Sequence, residues 1–98
     1  MTSPVVVTRH KALVDYLVEQ GLVEEGVEVL EHVSASDVEG RNVIGVLPLS
    51  LAAHALTVTE IPLSLTREMR GKELTLDEVR SVACDPVTYT VTCIGGPK

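Results

Sequence analysis

The chain is predicted to fold as one α/β domain over residues 1–98, with a mostly parallel central sheet. Three observations carry that prediction. Val5-Val6-Val7 is a run of β-branched apolar residues, which suits a strand buried on both faces. Leu13, Tyr16 and Leu17 follow at the i, i+3, i+4 spacing of a helix that covers such a strand. Strand-like and helical segments then alternate along the chain, the pattern that builds a sheet covered by crossover helices.

The first strand is predicted at Val5 to Thr8 and the first helix from about Lys11 to Gln20, with Gly21 as its C′ stop. Lys11, Asp15 and Glu19 form that helix's solvent stripe. Val27 to Val33 ("VEVLEHV") alternates enough for a second strand, and "SASDVEGR" reads as a loop whose Gly40 permits a tight turn. "NVIGVLP" is apolar throughout and so predicts a central third strand. Ser50 to Leu56 suits a short helix with Ser50 as N-cap, and "TVTEIPLSL" a fourth strand interrupted by Pro62. Thr75 and Glu78 form a capping box, which starts a last helix running from Leu76 to about Ala83. "VTYTVTC" alternates threonine with Val87, Tyr89, Val91 and Cys93, as an edge strand with one wet face does. The order βαββαβαβ specifies a small Rossmann-like domain of three layers, with residues 94–98 as a loose tail.

At 98 residues a single core is near the size where a partner subunit helps, so a homodimer is expected. The net charge of −6 excludes a broad basic face, and with it a duplex nucleic-acid partner. The distribution says more than the sum. Eight acidic and no basic residues lie between Ala12 and Glu39, whereas Arg9, Lys11, Arg67, Arg70 and Lys72 place five of the eight cations in two short clusters. An acidic body with two cationic spots suits a compact anionic ligand. Cys84 and Cys93 form no metal or disulfide pattern and read as buried small hydrophobes. No leader is recognisable, so the expected location is cytoplasmic, and no apolar run approaches the roughly 20 residues of a membrane span.

Arg9 and His10 fall where the first strand passes into its helix, at the carboxyl end where open α/β sheets hold ligands. The plain alternative is that His10 bonds the backbone at the helix start and Arg9 pairs with a carboxylate. "TREMRGKELT" follows the fourth strand; if that strand runs parallel to the first, Arg67, Arg70 and Lys72 reach the same edge. Arginine offers a planar fork to phosphate oxygens, Gly71 lets amides approach, and Glu73 is a carboxylate among cations. Thr8 closes the first strand, and Pro48 and Ser50 precede or open a helix whose free amides suit a phosphate, although capping is the plainer role for Ser50. His32 and His54 have no partners at metal-ligand spacing; no metal site and no cofactor is predicted. With two tyrosines and no Phe or Trp, an aromatic platform for single-stranded RNA is lacking.

The segments "VVVTRH", "NVIGVLPLSLAA" and "LSLTREMRGKELT" resemble the small stand-alone Csx-type CRISPR-associated proteins of type III systems. The resemblance covers about residues 5 to 83 and leaves out "PVTYTVTC". It implies a Rossmann-like homodimer, similar to the sensor domains of CRISPR ancillary nucleases. The implied activity is that of a ring nuclease on cyclic oligoadenylate, most readily cyclic tetra-adenylate. Arg9 and His10 carry over from "TRH", and Arg70, Gly71, Glu73 and Leu74 from "RGKEL".

Such a ring needs a few placed cations rather than a basic face, and its cleavage needs no metal, because a ribose 2′-OH can attack its own 3′-phosphate. On this reading Arg9 and Arg70 hold phosphate. His10 protonates the leaving 5′-oxygen or orients the phosphate, and Glu73 serves the 2′-OH or holds His10. A non-catalytic sensor of the same messenger needs the same cations; only the His10 and Glu73 pair favours the enzyme. An interaction module without a nucleotide ligand leaves the clustered cations unexplained.

Overall fold

A computed structural model of the chain describes residues 4–96. Five strands form one sheet: β1 (Val5–Val7), β2 (Glu28–Leu30), β3 (Asn42–Gly45), β4 (Thr57–Glu60) and β5 (Val87–Tyr89). Their spatial order is β2-β1-β3-β4-β5; the first four are parallel, and β5 runs antiparallel beside β4. The strand predicted to be central is the middle one, and the predicted edge strand is an edge.

Four helices accompany the sheet: α1 (Lys11–Glu19), α2 (Ala35–Val38), α3 (Leu49–Ala52) and α4 (Leu76–Val82). Because strand side chains alternate between faces, β1 feeds two cores. Val5 and Val7 pack with Val38, Ala52 and Ala55, from α2, α3 and the turn that ends α3; Val6 packs with Leu17 of α1, Val23 and Ile61. A third cluster of Ala12, Leu74 and Val79 joins α1 to α4. α1 ends as predicted, in a Schellman motif: Leu22 N–H bonds Leu17 O at 3.0 Å and Gly21 N–H bonds Val18 O at 3.0 Å, with Gly21 at φ +73°. The capping box of α4 also forms, with Glu78 N–H on Thr75 Oγ1 at 3.2 Å and Thr75 N–H on Glu78 Oε1 at 2.9 Å. Arg80 then clamps α4 to α1, its Nε bonding Glu19 Oε2 at 2.9 Å and Oε1 at 3.1 Å.

Several expectations need correction. The segment read as a loop after β2 contains α2, started by its own capping box of Ser34 and Asp37, so the element order gains a helix. α3 begins after Pro48, which is its N-cap; Ser50 lies inside the helix, where its hydroxyl has no orphan amide to cap. The second strand spans three residues rather than seven, since the turn at Gly26 and the bend after Leu30 leave only Glu28–Leu30 beside β1. The last strand stops at Tyr89, after pairing three residues of β4. Cys84 and Cys93 are both exposed, because the stretches flanking β5 lie outside the core. Ile94 to Gly96 form no helix or strand, while Pro97 and Lys98 of the expected tail lie outside the described residues.

Candidate functional site

Chain order and sheet order diverge at one place. From β1 the chain crosses to β2 on one side, and β3 then returns to pair with β1 on the other. In such sheets the crossovers on either side of β1 and β3 diverge and leave a crevice beyond the carboxyl ends of these strands. Thr8, Arg9 and His10 leave β1 into that crevice, and Gly45 and Val46 leave β3 into it.

Two adjoining depressions of about 450 and 400 Å³ occupy this edge and share Arg9, His10, Leu13 and Leu63. Both fall in the range of roughly 300–1,000 Å³ common to small-molecule sites. The first runs along the ends of four strands, with Glu31 after β2, Thr8 to His10 after β1, Gly45 and Val46 at the end of β3, and Glu60 with Ile61 at the end of β4. The second is walled by the segment between β4 and α4, through Met69, Gly71, Lys72, Glu73 and Leu74.

Gly45 makes the floor possible. Its φ is +143°, and a Cβ there would stand 2.2 Å from the carbonyl oxygen of Val7 across the β1–β3 ladder. Only glycine lets the two strand ends lie side by side at this point.

His10 is the N-cap of α1, yet its side chain makes no capping bond. The backbone work is done by others. His10 N–H donates to Thr8 Oγ1 at 3.1 Å, and His10 O receives the amides of Leu13 and Val14 at 3.1 and 3.4 Å. The imidazole is left half-exposed, with Nδ1 3.9 Å from Glu73 Oε1. Glu73 reaches that place because its neighbour Leu74 is buried against Ala12 and Val79, which fixes the connector to the start of α1. Gly71, at φ +78°, supplies the left-handed turn that brings the connector back. The 62 residues between His10 and Glu73 are thus closed by packing that two short motifs did not reveal.

The cations divide. Arg9 lines both depressions, is exposed, and pairs with no carboxylate among the described residues. The plain alternative of a structural ion pair therefore does not describe it. Lys72 lines the second depression but bonds Glu78 Oε2 at 2.8 Å through Nζ. That contact, followed by the Thr75 amide, holds the Glu78 carboxyl below its usual range and ties the connector to the start of α4. Arg67 opens the 3-10 turn Arg67–Met69 on the same connector and Arg70 follows it; both are exposed and neither lines the depressions. Pro48 is also exposed and outside them, and Ser50 lines a separate hollow between α3 and the 91–95 stretch.

Two carboxylates at the strand ends were not singled out from sequence. Glu31 and Glu60 line the first depression, and Glu60 is the half-buried one. The available signal was their place as the first or last residue at a parallel strand's carboxyl end. Among the described residues no three His, Cys, Asp or Glu side chains converge as a metal site would require, and no helix is long and apolar enough to cross a membrane.

The arrangement offers an unpaired guanidinium for an anion, an imidazole beside a carboxylate for proton movement, and a glycine-lined floor for close approach. No curated protein and no solved structure matches the chain. One family does, described as "Putative CRISPR-associated protein (Cas_VVA1548)", and its match over residues 5–92 includes the last strand as well as the crevice. The chain belongs to this family of CRISPR-associated proteins.

Proposed function

We propose that this CRISPR-associated protein is a ring nuclease of the Csx type, a Rossmann-like homodimer that opens cyclic oligoadenylate and so ends the signal the ring carries. The observation that supports this most is the meeting, at the β1–β3 crevice, of unpaired Arg9 with a His10–Glu73 pair at 3.9 Å. A CRISPR-associated protein with a compact anion site and a proton-transfer pair fits a cyclic nucleotide messenger better than a duplex.

In the reaction, the ribose 2′-oxygen attacks the adjacent phosphorus while the bond from phosphorus to the 5′-oxygen breaks. The products are a 2′,3′-cyclic phosphate and a 5′-hydroxyl. One proton leaves the 2′-OH and one arrives at the 5′-oxygen, so no water is consumed. Arg9 stabilises the charge that grows on the phosphoryl oxygens. His10 delivers the proton to the leaving oxygen, and Glu73 orients the imidazole or takes the 2′ proton; the 3.9 Å gap closes with substrate in place. Gly71 and Lys72 border the same space, and Arg67 and Arg70 on the connector add a long-range attraction for the ring. Two copies related by a two-fold axis present two such crevices to a ring of even number.

Incubating the protein with labelled cyclic tri-, tetra- and hexa-adenylate in EDTA tests this. The expected result is linear oligoadenylate ending in 2′,3′-cyclic phosphate, with the tetramer cut fastest. Rings recovered intact although bound identify a sensor and overturn the enzyme. Cleavage that is lost in EDTA and returns with magnesium overturns the metal-free mechanism.

A further inference from the structure

Beside the crevice lies a smaller hollow of about 230 Å³, walled by Val46, Leu47, Leu49 and Tyr89. It shares Gly45, Val46 and Glu60 with the first depression, so the two spaces meet at the ends of β3 and β4. Tyr89 is one of only two aromatic residues in the chain. The register of β5 on β4, which includes a 2.9 Å bond between the Thr59 and Thr88 hydroxyls, sets Tyr89 opposite Val58, two residues before Glu60 on the same face. Val46 and Leu49 are 71% and 76% exposed, which leaves this apolar surface open to a ligand.

Glu60 is the unexplained group. It is half-buried at the join of the two spaces, yet its carboxylate makes no hydrogen bond or ion pair among the described residues. An ionised carboxylate only accepts hydrogen bonds, and it repels phosphate. Its natural partner in an otherwise apolar hollow is a flat group that stacks and carries an N–H donor at its edge.

We propose that this hollow is a base subsite, in which Tyr89 stacks on one adenine of the ring and Glu60 accepts a hydrogen bond from its exocyclic amine. The proposal rests on the ring-nuclease reading and deepens it by giving the protein a means of choosing its base. Adenine presents an amine where hypoxanthine and guanine present a carbonyl oxygen, and an oxygen there faces the carboxylate without a proton between them. The site discriminates by leaving its own acceptor unpaired with the wrong base.

The test compares cyclic tetra-adenylate with cyclic tetra-inosinate, in which each 6-amine is replaced by a carbonyl and the neighbouring N1 gains a hydrogen. Affinity and single-turnover cleavage are measured for the wild type, Glu60→Gln, Tyr89→Phe and Tyr89→Ala. The wild type is expected to favour the adenine ring by about 10-fold or more. Glu60→Gln brings that ratio close to one, because an amide offers a donor as well as an acceptor. Tyr89→Ala weakens both rings by about 10-fold or more while Tyr89→Phe keeps their affinity, since the ring face and not the hydroxyl is used. Unchanged selectivity in Glu60→Gln, or unchanged affinity in a folded Tyr89→Ala, overturns the subsite and leaves the nuclease standing. A wild type that binds neither ring overturns both.

Discussion

Replacing Gly45 by alanine probes the contact that shapes the floor of the crevice. A Cβ at this position meets the Val7 carbonyl oxygen at 2.2 Å, and real contacts of this kind stay above 3.0 Å, so the strand ends must part by about 0.8 Å. The obstacle is backbone in the last pair of a parallel ladder and cannot swing away as a side chain would. Overpacking of this sort costs about 1–3 kcal/mol, and holding a non-glycine residue at φ +143° adds about 1–3 kcal/mol. A total near 4 kcal/mol is a large share of the roughly 5–15 kcal/mol that stabilises a domain. It lowers the melting temperature by about 16–32 °C in a chain of this size. Gly21→Ala serves as the control: φ is also positive, but nothing lies within 4 Å of the added carbon, so only the backbone cost of about 1–2 kcal/mol remains. Urea and thermal unfolding followed by circular dichroism measure both variants. If Gly45→Ala melts within a few degrees of Gly21→Ala, the close approach of β1 and β3 is not what requires glycine.

Three other outcomes follow from the same structure. Thr75→Ala removes the cap of α4 and should cost about 1 kcal/mol in urea unfolding, while Thr75→Ser should retain most of the stability. The carboxyls of Glu19, Asp37 and Glu78 are held below their usual values, chiefly by Arg80, by the Ser34 amide and by Lys72. Lowered values in the folded state mean that their contribution is complete above the unfolded-state values and is lost as pH falls through the folded ones; the urea midpoint should be flat above about pH 5 and decline below about pH 4.5. Glu19→Gln should make that decline shallower, and an unaltered acid limb would contradict the assignment. Arg9→Ala should weaken cyclic tetra-adenylate by about 1.5–3 kcal/mol in equilibrium binding, the value of a lost charge-assisted contact; unchanged affinity would remove Arg9 from the phosphate.

What the sequence made legible were features whose cause is local. The Schellman stop at Gly21 and the capping box of Thr75 and Glu78 depend on a handful of adjacent residues, and both formed as read. The parallel course of β4 also followed, because short helical connections oblige it, and with it the cationic connector reached the edge that holds Arg9. Failures came where competing signals were weak. Ser34 and Asp37 are themselves a capping box, but only four helical residues follow, too few for a periodic pattern. Pro48 took the cap expected of Ser50 because its fixed φ already suits a helix entry. Which strand-end carboxylates face the crevice depends on the order of strands in the sheet, and so Glu31 and Glu60 stayed hidden until β2, β1, β3 and β4 were placed. The separation of Lys72, tied to Glu78, from unpaired Arg9 likewise depends on side-chain contacts that spacing does not encode.

The central claim is that the crevice does chemistry and does not only hold a ring, and His10→Ala tests it. The imidazole makes no capping bond, so its removal should leave α1 and the fold intact. Ring affinity and the single-turnover rate of cyclic tetra-adenylate cleavage are measured in EDTA for the wild type and this variant. A proton donor acts mainly in the transition state, so affinity should change little while the rate falls by roughly 10²–10⁴-fold. Cleavage by His10→Ala at the parental rate would contradict the account.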